Sequence, residues 1–146
     1  MGVESAILDC TGDAPVLLRP GAVDAAQVAR VGGVPLTVRT SAVRAPGTLA
    51  SHYAPAARVL IAADGEQAAR LLAPLDGLLA LDDVATPEGV VRLSAPTDAT
   101  GYARALYAAL READALGLAR VVAVPPAPVG IGLAVADRLA RAAATV

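Results

Sequence analysis

From about Arg58 to the last residue, the chain alternates between two hydrophobic rhythms. "RVLIAA", "GLLALDD", "VVRLS" and "RVVAVP" are short, nearly continuous apolar runs that predict strands. Between and after them, "GEQAARLLAPL", "TDATGYARALYAALREADALG" and "GIGLAVADRLARAAA" carry the wider spacing of amphipathic helices. In the second of these, Tyr102, Leu106, Ala109, Leu110 and Ala113 recur at steps of three and four, with Thr97 or Asp98 as the cap and Gly117 as the stop. Strands without an exposed polar face, interleaved with helices, predict parallel β-α units covered on both sides. The expectation for residues 58–146 is an α/β fold: a small three-layer Rossmann-like domain with a mostly parallel sheet.

Upstream the pattern changes twice. "SAILDC" and "PVLLRPG" are apolar runs separated by the turn cluster "TGDA", which predicts a β-hairpin. "DAAQVARVG" then predicts a short helix capped by Asp24 and stopped at Gly32. Two strands and one short helix cannot bury a self-sufficient core, so residues 1–34 read as the tail of a larger sheet. Residues 35–57 have weak periodicity and three prolines, and so read as a linker or a functional loop.

Composition narrows the possible functions. The hydrophobic fraction is 55% and the mean hydropathy +0.56, enough for a core, but Phe and Trp are absent and Tyr53, Tyr102 and Tyr107 are the only aromatics. The core must therefore be built from small aliphatic residues, and stacking platforms for single-stranded nucleic acid are scarce. The longest charge-free stretch, Val121 to Ala136, is interrupted by Pro125, Pro126 and Pro128 and is a poor membrane span. The start "MGVESAILD" lacks the basic and apolar regions of a secretion signal, and the expected location is cytoplasmic. All twelve basic residues are arginines, spread along a chain of net charge −2, so there is no basic stripe and no strong direct nucleic-acid signal. Cys10 stands alone, which rules out an internal disulfide, and reads as a small core residue.

Several residues carry candidate chemistry. Gly130 and Gly132 lie between a strand and a helix, where free amides suit phosphate, although tight-turn glycines explain them more simply. Asp82 and Asp83 follow a strand but have no third ligand nearby and read as solvated, so no metal site is expected. Arg19, at the end of an apolar strand and stiffened by Pro20 and Gly21, presents a fork suited to phosphate or carboxylate. Ser5 offers a hydroxyl just ahead of a strand. His52, the only histidine, precedes Tyr53 in "RAPGTLASHYAP". With no second histidine and no nucleophile elbow, no catalytic nucleophile or base is assigned; a loop imidazole and phenol offer hydrogen-bond donors and a stacking surface to a ligand, while their spacing alone does not require one.

Taken in order, "GVESAILDCTG…PVLLRPGAV", "APGTLASHYAP", "YARALYAALREAD" and "GIGLAVADRLARAA" resemble the two-domain threonylcarbamoyl-AMP synthases. In that family a YrdC-like catalytic domain is followed by a lid linker and a small Rossmann-like domain. The resemblance implies that residues 1–34 are the end of the catalytic domain, 35–57 the lid linker and 58–146 the C-terminal domain. It also implies a reaction of L-threonine, bicarbonate and ATP, with Mg²⁺ accompanying the ATP, that supplies tRNA threonylcarbamoyladenosine modification. Ser5 matches a contact to L-threonine, Arg19 a contact to ATP, and His52 and Tyr53 the lid. Most of the YrdC-like domain, including its phosphate cradle, lies outside this chain, so the chain alone is expected to be inactive and to bind no cofactor. The family's basic pair in the linker is replaced by Leu49 and Ser51 within "TLAS". The alternative is a non-catalytic α/β module that binds a ligand or partner through the Gly130 turn.

Overall fold

The structure, a computed structural model, describes residues 3, 5–23, 25–33, 36 and 55–144. The first part is an antiparallel hairpin of β1 (Ile7–Asp9) and β2 (Val16–Arg19), followed by α1 (Ala25–Gly32). The helix runs through Gly32, and the chain turns at Gly33 with a φ of 66°. Every residue of both strands is half-buried, and no α1 residue is buried. Val31 is 88% exposed, as expected for a piece that cannot close its own core. Cys10, expected in a core, is instead exposed: β1 ends one residue earlier and the turn carries the cysteine into solvent. Asp24, the expected cap of α1, lies outside the described residues.

The second part is β3 (Arg58–Ile61), α2 (Gly65–Leu71), β4 (Gly77–Leu79), β5 (Val91–Ser94), α3 (Ala99–Ala115), β6 (Arg120–Ala123) and α4 (Ile131–Ala143). The four strands form one sheet in the order β3-β6-β4-β5, with every pairing parallel. Alternate residues of each strand face opposite layers. On one side Val59, Leu79, Val121 and Ala123 meet Tyr102 and Leu106 of α3 and Val135 and Leu139 of α4. On the other, Leu78, Ala80, Val122 and Val124 meet Ala68 of α2. The three-layer α/β arrangement and the hairpin ahead of it are those expected from the sequence.

Local chemistry sets the helix starts. Asp64 Oδ1 accepts from the Gln67 amide at 2.7 Å and Asp98 Oδ1 from the Gly101 amide at 2.6 Å, so Asp98 rather than Thr97 caps α3. The Tyr102 hydroxyl donates to the Leu79 carbonyl at 3.1 Å, giving the largest buried side chain a polar partner. Burial pushes its phenol well above the ordinary range.

At the N-terminal end of the sheet, Arg120 of β6 donates to both oxygens of Asp76, at 3.0 and 2.5 Å, and the Ala73 amide donates to Asp76 Oδ2 at 2.8 Å. Burial pushes the Asp76 carboxyl up, but these bonds outweigh it and hold the group below its ordinary value of 3.8. A depressed carboxylate contributes stability above its unfolded pKa and loses it as pH falls through its folded pKa. Asp76→Asn is therefore expected to lower the midpoint of thermal unfolding by about 5 °C at neutral pH. The gap to the parent chain should narrow at acidic pH, as pH falls through the parent's own depressed pKa and its carboxyl is protonated. Thermal scans at neutral and acidic pH check this.

Candidate functional site

Ser5 and Arg19 are fourteen residues apart, yet the hairpin folds them into one corner. Arg19 Nη2 donates to Ser5 Oγ at 2.5 Å, and Arg19 Nε to the Ser5 carbonyl at 3.3 Å. Gly21 is buried at this corner because the backbone of Ser5 and Ala6 passes directly over it. Burial, and then the neighbouring Arg138 guanidinium, hold the Arg19 pKa below its ordinary value. The corner thus offers one hydroxyl and one fixed guanidinium, suited to a polar, anionic ligand.

The corner rests on the C-terminal domain. Val3 is 2% exposed and packs in the same core cluster as Leu106 and Leu139. Arg138 of α4, with a side chain 8% exposed, donates Nη2 to the Pro20 carbonyl at 3.3 Å. Its charge is balanced by Asp137, which it meets through Nη1. Arg141 also grips Asp137, Nε at 3.1 Å and Nη2 at 2.8 Å, so the carboxylate is shared by two guanidinia. The Arg141 guanidinium is raised in pKa, first by that bond.

A second polar tie lies at the start of β3. Asp114, near the end of α3, accepts from the Ala56 amide at 2.9 Å and the Ala57 amide at 3.2 Å. Asp114→Ala is expected to destabilise the domain by about 1 kcal/mol, the net worth of such bonds at a largely exposed carboxylate. Chemical denaturation with an unchanged slope would check it.

Of the residues singled out in the sequence, Ser5 and Arg19 are brought together, while His52 and Tyr53 lie outside the described residues. Asp82 and Asp83 are exposed, with Asp82 donating its amide to the Pro96 carbonyl at 3.0 Å. Gly130 opens α4 with a φ of 53° and no side-chain cap, and Gly132 is buried where any Cβ would strike the Ala127 carbonyl oxygen. Those glycines thus serve a tight strand-to-helix turn. Among the described residues no three His, Cys, Asp or Glu side chains converge as a metal site, and no helix is long and apolar enough to cross a membrane.

Arg138 and Asp114 went unnoticed as contacts in the sequence. For Arg138 a signal existed. Val135, Arg138, Leu139 and Ala142 follow helical spacing, so an arginine occupies an apolar-face position and must have a partner.

The fold and this corner define an α/β domain of Rossmann type with a β-hairpin packed against it. The family model for the C-terminal domain of threonylcarbamoyl-AMP synthase matches residues 21–144, and the chain belongs to that family. Threonylcarbamoyl-AMP synthase from Pyrococcus abyssi is 32% identical over 97% of this chain and 46% of its own length. Its counterpart from Bacillus subtilis is 31% identical over 98% of this chain and 46% of its own length. The chain spans about half the length of the curated relatives it matches. Among solved structures, Pyrococcus abyssi Sua5 complexed with L-threonine superposes with a TM-score of 0.76 at 28% identity, covering 97% of this chain and 46% of that one. A variant of the same archaeal protein, with a consecutive histidine and tyrosine both changed to alanine, superposes at 0.75 with 28% identity, covering 97% of this chain and 45% of that one.

Proposed function

We propose that this chain is the C-terminal portion of an L-threonylcarbamoyladenylate synthase, which makes threonylcarbamoyl-AMP from L-threonine, bicarbonate and ATP for tRNA modification. Residues 1–34 complete the YrdC-like catalytic domain, 35–57 form the lid linker and 58–146 the Rossmann-like domain. The observation that carries the reading is the Ser5–Arg19 corner. A hydroxyl assigned to L-threonine and a guanidinium assigned to ATP are hydrogen-bonded neighbours, so their two ligands would meet there. The exposed Val31 and the unburied α1 agree with a sheet that continues into the rest of the relatives' length.

In this reaction the threonine nitrogen first bonds to the bicarbonate carbon, the bond from that carbon to its hydroxyl oxygen breaks, and the hydroxyl leaves as water with a proton from the nitrogen, giving a carbamate. A carbamate oxygen then bonds to the α-phosphorus of ATP, the bond from that phosphorus to the bridging oxygen breaks, and pyrophosphate leaves. Arg19 supplies positive charge beside the phosphates, an effect that is strongest where water is excluded. Exclusion is the role proposed for His52 and Tyr53. This chain has one histidine and a tyrosine follows it, and a relative was studied with such a pair replaced. Mg²⁺ accompanies ATP as part of the substrate.

One fixed guanidinium and one hydroxyl do not make a phosphate cradle, so the 146-residue chain alone is expected to release no pyrophosphate. The test is pyrophosphate release by the complete synthase carrying this chain. Release that requires both threonine and bicarbonate, and is lost with Arg19→Ala, is the expected result. Release indifferent to threonine would overturn the reading.

A further inference from the structure

Between the nucleotide-contact arginine and the core of the C-terminal domain stands one buried, charged side chain. Arg138 projects from the apolar face of α4, flanked in sequence by Asp137 and Leu139, and reaches the Pro20 carbonyl 118 residues away. A guanidinium almost without solvent is costly unless its charge and its donors are satisfied. Here Asp137 meets the charge, and the nearest carbonyl taken is the one immediately after Arg19. An alanine or leucine would suit that helix position better for packing alone, since Ala134, Val135, Leu139 and Ala142 surround it on the same face. What the arginine adds is a directional tie to the Arg19–Pro20–Gly21 turn.

We infer that Arg138 is a positioning residue of the synthase, seating the Arg19–Pro20 turn from the C-terminal domain so that the Arg19 guanidinium is held in place for ATP. This rests on the proposed reading of Arg19 as the nucleotide contact. Three features of the corner make the tie effective. Pro20 has a fixed φ and no backbone N–H, so its carbonyl is the one hydrogen-bonding group by which that residue can be held. Gly21 lies under the Ser5 and Ala6 backbone, so the turn and the Ser5 strand move together. The Arg19 guanidinium donates to both the hydroxyl and the carbonyl of Ser5, so a shift at Pro20 is transmitted to both. The shared carboxylate of Asp137, held by Arg141 as well, keeps Arg138 from swinging away.

The test has two arms. In the 146-residue chain, amide hydrogen exchange is measured for Arg138→Met, with Tyr102→Phe as a control that loses a buried bond elsewhere. Arg138→Met is expected to speed exchange in residues 5–21 at least tenfold while leaving β6 unchanged, and Tyr102→Phe to leave residues 5–21 as they are. Unchanged exchange in residues 5–21 would overturn the tie. In the complete synthase, Arg138→Met is expected to raise the KM for ATP about tenfold and, because the turn and the Ser5 strand move together, to raise the KM for L-threonine as well, with Arg138→Lys recovering part of the loss. If Arg19→Ala raises the KM for ATP and Arg138→Met does not, the positioning role is wrong and the function stands. If neither substitution moves it, the assignment of Arg19 to ATP fails, and the inference fails with it.

Discussion

Gly21→Ala is expected to destabilise the corner by about 3 kcal/mol and to separate Ser5 from Arg19. The constraint is space. A Cβ at residue 21 would lie 2.8 Å from the Ala6 Cα, and closer still to the Ala6 nitrogen and the Ser5 carbonyl carbon. All three are backbone atoms, so no side-chain rotation relieves the clash, and one strand must lift from the turn. Lifting it lengthens the 2.5 Å bond between Arg19 and Ser5 Oγ and loosens the Pro20 carbonyl from Arg138. The expected signature is a lowered unfolding midpoint in the 146-residue chain, with faster hydrogen exchange confined to residues 5–21. In the complete synthase, the KM values for ATP and L-threonine should both rise, because both of the contacts proposed for Arg19 and Ser5 move. Gly12→Ala, a substitution with nothing within 4 Å, should do neither.

Arg92→Met is the second large effect, expected to cost roughly 3 kcal/mol, or about 15 °C in the unfolding midpoint of a domain this size. Strands β4 and β5 are parallel neighbours, yet residues 80–90 join them without a helix. Parallel connections ordinarily use a packed crossover helix to hold the return. Here a guanidinium replaces it. Arg92 Nε donates to the Ser94 carbonyl at 2.8 Å, Nη1 to the Val84 carbonyl at 2.7 Å and to Thr86 Oγ1 at 3.0 Å, and Nη2 to the Ala80 and Leu81 carbonyls at 3.0 and 2.6 Å. Each bond carries a full charge on the donor, and methionine leaves the carbonyls to find water or go unpaired. Arg92→Lys keeps the charge but not the fork, so it should recover less than half of the loss. Thermal unfolding of the three chains checks this, and a loss below 1 kcal/mol for Arg92→Met would mean the loop is held by Val84 and Val90 packing alone.

Most of the fold was legible because the apolar pattern is regular. Each strand of the sheet is a short apolar run, the helices between most of them have clear spacing, and Asp98 and Gly117 punctuate α3 by ordinary capping chemistry. The strand order was not legible. β6 inserts between β3 and β4, and nothing in a run such as "RVVAVP" says which neighbours it takes. The helix-free return before β5 agrees with the sequence, which offers no helix between "GLLALDD" and "VVRLS", but what holds that return was hidden for a related reason. Arg92 lies within the run "VVRLS" with nothing to mark it, and four of its five acceptors are backbone carbonyls that carry no sequence identity, the fifth being the Thr86 hydroxyl.

The candidate site divides in the same way. Ser5 and Arg19 stood out because each is a polar group beside a stiff, apolar strand, but their mutual bond depends on the hairpin register, which shifts between Ile7 and Leu8. Cys10 misled because a residue one step past a strand end is set by the turn rather than by the strand's alternation. Asp114 and Arg138 act on backbone atoms 57–58 and 118 residues away, and contacts to amides and carbonyls leave no pattern in the partner's side chains.

The most direct measurement is calorimetric titration of ATP, with and without L-threonine, into the 146-residue chain and into the complete synthase. Saturable binding by the complete synthase, weakened at least tenfold by Arg19→Ala, together with no binding by the chain alone at millimolar ATP, is the expected result. Tight binding by the chain alone, or binding by the complete synthase that ignores Arg19, would contradict a site that this chain only helps to complete.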